Sequence, residues 1–171
     1  MKMEELLSEL RVDFWNYLYS QGFPSNINDE ALFLATEKVN FEAFKGKRLR
    51  FKNWDCITGG EHAEDVALTR LLAKSLGMEE GSDWDWGLDY EDYHFIVAFS
   101  YGKKVKEILR LLELYYEASL VLIRTLLKVK SACLLEHHDL QQMFADEWER
   151  LREEKQCLKL EFLQKFAEVI L

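Results

Sequence analysis

Cysteine, proline and glycine are scarce in this chain. Its 171 residues include one proline, eight glycines and three cysteines. So few chain-breaking residues exclude collagen-like and linker-rich classes. Cys56, Cys133 and Cys157 stand far apart, and none belongs to a Cys-x-x-Cys pair. An odd, scattered set makes no simple disulfide framework, which points to a reducing, cytoplasmic compartment. A long uncharged apolar run is also missing. The most apolar stretch, 108–135, is interrupted by Arg110, Glu113, Glu117, Arg124, Lys128 and Lys130. No membrane span is therefore expected. The start, Met1-Lys2-Met3-Glu4-Glu5-Leu6-Leu7, has neither the basic region nor the apolar core of a signal peptide.

Apolar and acidic residues are plentiful. Hydrophobic residues make up 49% of the chain and aromatic residues 13%, which is ample for a core. The length suits one helical domain over 1–171. A subdivision would fall near residue 100, with N-terminal helices and an acidic loop before it and a long helical hairpin, 101–171, after it. The 31 acidic and 22 basic side chains give a formal charge of −9. That balance argues against general binding to a nucleic-acid backbone, which needs a basic surface. The excess is local. Residues 61–100 carry ten acids against only Arg70 and Lys74, whereas 101–171 carry twelve of each sign. A basic patch, Lys45, Lys47, Arg48, Arg50 and Lys52, lies just before the acidic stretch.

Periodicity predicts mostly helix. Met3, Leu7, Leu10, Phe14, Tyr17 and Leu18 recur at three- and four-residue steps over 2–20. Gly22 and Pro24 then end that helix. Asn28 is the expected N-cap of a short helix over 29–39. Residues 47–53 alternate basic and apolar side chains, a signal for a short β element. Thr58-Gly59-Gly60-Glu61 reads as a capping box opening a helix that runs to Gly77. Residues 78–92 read as an irregular acidic loop. Residues 93–101 fit either a buried strand or a buried helix and are assigned to helix, because helix follows. The pattern over 103–133 is one long helix, and Asp139 with Gln142 opens another over 140–170. The expected fold is therefore mainly α: a bundle built on a long antiparallel C-terminal helix hairpin, with a short β element near 47–53.

Several constellations could carry chemistry. His62-Ala63-Glu64 resembles the His-x-Glu of zinc-dependent deaminases, but their Pro-Cys-x-x-Cys is absent. Glu61-x-x-Glu64 followed by Glu80-x-x-Asp83 resembles the carboxylate pairs of all-α nucleoside-triphosphate pyrophosphohydrolases. That resemblance implies magnesium held by Glu61, Glu64, Glu80 and Asp83 to bridge phosphates and activate water. Gly81 and Ser82 lie inside the second pair, where a helix would be required. The acidic run 83–92 fails the calcium-loop pattern at three positions. Glu91-x-x-His94 supplies only half of a di-iron signature.

The remaining feature is Trp84-Asp85-Trp86 among acidic residues. Tryptophan and tyrosine anchor interfaces, and carboxylates steer cationic surfaces. The leading expectation is a non-enzymatic interaction module or inhibitor of the immunity-protein, antitoxin or adaptor kind. It would bind a basic protein surface through Asp83, Trp84, Asp85, Trp86, Asp89, Tyr90, Glu91 and Asp92, with no cofactor. Alternatively the two rings fold back onto the bundle and lock the loop. The magnesium-dependent hydrolase is the second expectation, and self-association through the C-terminal hairpin a third.

Overall fold

Asn28 sets where the second helix begins. Its backbone is extended, and its side chain accepts a hydrogen bond from Ala31 N at 3.0 Å. This satisfies an amide that the helix itself cannot pair, and Asp29 and Glu30 complement the positive end of the helix dipole. A computed structural model describes residues 3–48, 56–59, 62–88, 94–100, 102–133 and 153. Within them the order is α1 (Met3–Ser20), α2 (Asp29–Phe44), β1 (Cys56–Gly59), α3 (Ala63–Ser75), β2 (Trp84–Leu88), β3 (Phe95–Phe99) and α4 (Lys103–Cys133). The protein is mainly helical, and it also contains a three-stranded antiparallel sheet in the order β1-β3-β2.

Several expectations need correction. Helix α2 runs past residue 39 to Phe44 because no breaker occurs before Gly46. Of the β element expected near 47–53, only Lys47 and Arg48 are described. Arg48 forms a parallel bridge with Leu88, whose N–H donates to Lys47 O at 3.0 Å. Residues 95–99 are a strand, not a helix. The consecutive residues Val97, Ala98 and Phe99 are all buried, so both faces of β3 are covered there, which is what blurs the pattern. Residues 84–88 pair with it and are likewise not a loop. In place of the capping box, Cys56–Gly59 form a strand and His62 caps α3 without a side-chain bond. The first arm of the expected hairpin is α4; the second arm, 140–170, lies outside the described residues except for Glu153, which is helical.

The chain divides into two compact units. One contains Phe23–Glu113 and so holds α2, α3, the sheet and the first turns of α4. Its core includes Ile27, Val39, Val66, Leu68, Leu72, Trp84, Trp86, Val97, Phe99, Ile108, Leu111 and Leu112, all buried. Fully burying one such aliphatic side chain stabilises by about 2 kcal/mol. Directly opposed residues on antiparallel strands share a sheet face, so Trp84 meets Phe99 with ring centroids 6.4 Å apart. Helix α3 stops in a Schellman turn. Gly77 takes φ +70°, Met78 N donates to Ala73 O at 2.9 Å, and Gly77 N to Lys74 O at 3.1 Å.

The other unit holds α1 and the part of α4 from Leu114 onward. Aromatic rings join the two helices. Phe14 meets Tyr115 edge-on at 5.9 Å, and Trp15 lies 6.2 Å from the same ring. Such pairs add roughly 0.5–1.5 kcal/mol beyond the area they bury.

Candidate functional site

The residues singled out at 83–86 serve the fold. Trp84 and Trp86 are 1% and 0% exposed, so their rings lock the strand into the core rather than stand at the surface. Asp85, itself buried, lies 3.2 Å from Lys47 Nζ, within ion-pair distance. Asp83 closes the turn before β2: its carboxylate accepts from Glu79 N at 2.7 Å, and its carbonyl accepts from Ser100 N and Oγ at 2.9 and 2.8 Å. Asp89, Tyr90, Glu91 and Asp92 lie outside the described residues.

Around Trp86 the charges of three elements converge. Arg70 of α3 binds Glu80 through Nε at 2.8 Å and Nη2 at 3.2 Å, and Nη2 also reaches Glu42 of α2 at 2.6 Å. Lys47 lies 4.9 Å and the Arg70 guanidinium 5.5 Å from the Trp86 ring centroid, a cation–π arrangement on a desolvated ring. Burial pulls the affinity of Arg70 for its proton down, but the hydrogen bonds it donates to Glu80 and Glu42, with their negative charge, outweigh it and hold the group above its ordinary value. The cluster contains three carboxylates and two cations linked by ion pairs, with Arg70 Nη1 and Asp85 Oδ1 left without a hydrogen bond among the described residues, and it acts as a clamp between α2, α3 and the sheet edge. Here the basic patch does meet the acidic stretch, through Lys47, Glu80 and Asp85.

The four carboxylates of the metal reading do not assemble on what is described. Glu61 lies outside the described residues, Glu64 is in the first turn of α3, Glu80 is held by Arg70 and Asp83 by its own turn. No group of three or more metal-ligating side chains occurs among the described residues.

A different feature can receive a ligand. In the unit built on α1 and α4, the two helices leave a groove of about 470 Å³. Helix α1 contributes Leu10, Asp13, Phe14 and Tyr17, at helical steps along one face. Helix α4 contributes Glu117, Ala118, Val121, Leu122 and Thr125. Phe14 and Ala118 are buried, whereas Tyr17 and Val121 are 51% and 61% exposed along the opening. Asp13 and Glu117 are exposed, one on each helix, and no cationic side chain is among the described lining residues. The site is therefore apolar with a carboxylate on either wall. Sequence periodicity assigned Leu10, Phe14 and Tyr17 to a core stripe. The signal that could have marked the groove is Asp13 inside that stripe and Glu117 within the apolar span of α4.

Comparison with known proteins gives no match to a family model, to a curated protein or to a solved structure. No described helix is long and apolar enough to cross a membrane.

Proposed function

We propose that this protein is a non-enzymatic interaction module, of the inhibitor or adaptor kind, that binds a basic amphipathic segment of a partner protein in the α1–α4 groove. The observation that carries this reading is an apolar groove with Asp13 on one wall and Glu117 on the other. An amphipathic helix lays its apolar face into such a groove, and its flanking lysines or arginines meet the carboxylates. The formal charge of −9 favours encounter with a cationic partner and lowers the rate with an anionic one. This moves the binding residues away from Trp84 and Trp86, which are in the core, and keeps the cationic partner.

The test uses two labelled helical peptides of identical apolar pattern, one Leu/Lys and one Leu/Glu, titrated by fluorescence anisotropy. The Leu/Lys peptide should bind and the Leu/Glu peptide should not. Reversing both Asp13 and Glu117 to Lys should weaken binding roughly tenfold or more. Val121→Ser alters an exposed wall without altering charge and should weaken it as well. Binding of the cationic peptide that ignores Val121→Ser would reveal attraction to net charge alone and overturn the groove reading.

A further inference from the structure

Helix α2 has a second face that is exposed and that no described residue of its own unit covers. Phe33, Leu34, Phe41 and Phe44 are 64%, 60%, 58% and 89% exposed, while Leu32 and Val39 on the same helix are buried. At about 100° per residue, Leu34 and Phe41 fall within about 20° of each other and about 160° from Leu32 and Val39. The helix is thus apolar on both sides, one side packed on its own unit and the other open. With about 150–250 Å² per aromatic ring, the four exposed side chains offer on the order of 500 Å² of apolar surface. That area is the apolar centre of a standard interface, which covers about 800 Å² on each partner, and it is large for an isolated patch.

The charges beside this patch select what covers it. Glu30 and Glu37 lie about 40° to one side of the Leu34–Phe41 line, and Lys38 and Lys45 about 40° to the other. All four are exposed. Lys45 Nζ sits 4.3 Å from the centroid of the Phe41 ring, against the apolar strip itself. An anionic surface would be repelled by the glutamates, and a cationic one by the lysines. A partner must present both edges in reversed order. A second copy of the same helix does so when it runs parallel about a twofold axis, because the acidic edge of each then meets the basic edge of the other. In an antiparallel pair, like edges would meet.

We propose that α2 mediates parallel, isologous pairing with a second copy of this chain. Leu34 and Phe41 stack on the partner's Leu34 and the partner's Phe41, and Glu37 faces the partner's Lys38 on both sides of the axis. The surface is independent of the α1–α4 groove, and its variants leave that groove unaltered.

The experiment is sedimentation velocity on the full chain across a concentration series. The protein should move from monomer to dimer as concentration rises. Phe41→Asp should abolish the dimer, with helicity by circular dichroism unchanged because the side chain is exposed. Glu37→Lys and Lys38→Glu should each raise the dimer dissociation constant roughly tenfold, and the double reversal should restore it. Restoration is the specific signature, since in an antiparallel pair, where like edges meet, either single reversal would relieve repulsion and tighten the dimer. A chain that stays monomeric throughout overturns the proposal and leaves the face to another partner. A dimer unmoved by all of these variants overturns it too, by placing the contact elsewhere.

Discussion

Arg70 and Glu80 form a two-pronged pair, with Nε and Nη2 of the guanidinium 2.8 and 3.2 Å from the two carboxylate oxygens. The pair ties the middle of α3 to the turn that leads into β2. Glu42 completes it from α2, so one side chain joins three elements that are distant in sequence. Removing Arg70 would take from Glu42 the cation it pairs with and leave Glu80 only the longer contact with Lys47, at 3.9 Å. Arg70→Met should therefore destabilise the protein by about 2–3 kcal/mol, read as a lower urea midpoint with unchanged slope. An unchanged midpoint would mean that the network contributes no net stability.

Glu107 and Arg110 supply a contrasting pair on the exposed side of α4, 2.7 Å apart at i, i+3. The hydrogen bond from Arg110 holds the Glu107 carboxyl below its ordinary value, against a smaller opposing effect of burial. A carboxyl whose folded pKa is depressed adds stability above its unfolded pKa and loses it as pH falls through the folded value. Both side chains are more than 40% exposed, so solvent screening limits the effect to a few tenths of a kcal/mol. Glu107→Gln should lower the melting temperature slightly near pH 7, and the difference should shrink as pH falls below the ordinary carboxylate range and the group protonates. A difference that persisted in acid would point to a contribution from packing.

How legible all this was in the sequence varies by element. Amphipathic stripes placed α1 and α4 to within a residue or two, and Asn28 marked the cap of α2, because these signals are local. Strand β3 is not legible by period, because consecutive residues at Val97, Ala98 and Phe99 are buried and both faces are apolar. Trp84 and Trp86 were ambiguous for a related reason. Their placement depends on pairing with residues 95–99, and acidic neighbours alone suggest a surface. The Lys47–Asp85 pair is visible only as two opposite charge clusters, and Arg70–Glu80 lies wholly within the acidic stretch. The sequence positions of a basic patch and an acidic stretch cannot show which members meet.

Gly77 tests a local claim. Its φ of +70° is the left-handed conformation that ends α3, and a Cβ placed there would find only Lys104 Nζ, at 3.6 Å. Steric clash is thus excluded, and any cost comes from the backbone. Gly77→Ala should destabilise by about 1 kcal/mol, and Gly77→Asn by less, since asparagine tolerates this region better. Thermal melts of the two variants decide it, and equal losses would implicate the side chain in place of the dihedral.

Trp86 separates the value of a ring from that of its polar atom. It is fully buried, lies tilted at 31° to the Phe95 ring with centroids 6.0 Å apart, and carries Lys47 and Arg70 against its face. Its Nε1 finds no acceptor among the described residues. Trp86→Ala deletes the whole ring, opens a cavity and removes the surface on which both cations rest, a loss of about 3–5 kcal/mol. Trp86→Phe keeps a ring and discards an unpaired donor, whose burial costs roughly 1–3 kcal/mol, against the smaller void it creates. The phenylalanine variant should thus retain most of the stability, within about 1.5 kcal/mol of the parent, in chemical denaturation. If it falls as far as the alanine variant, the indole nitrogen is paired in solution and the volume argument fails.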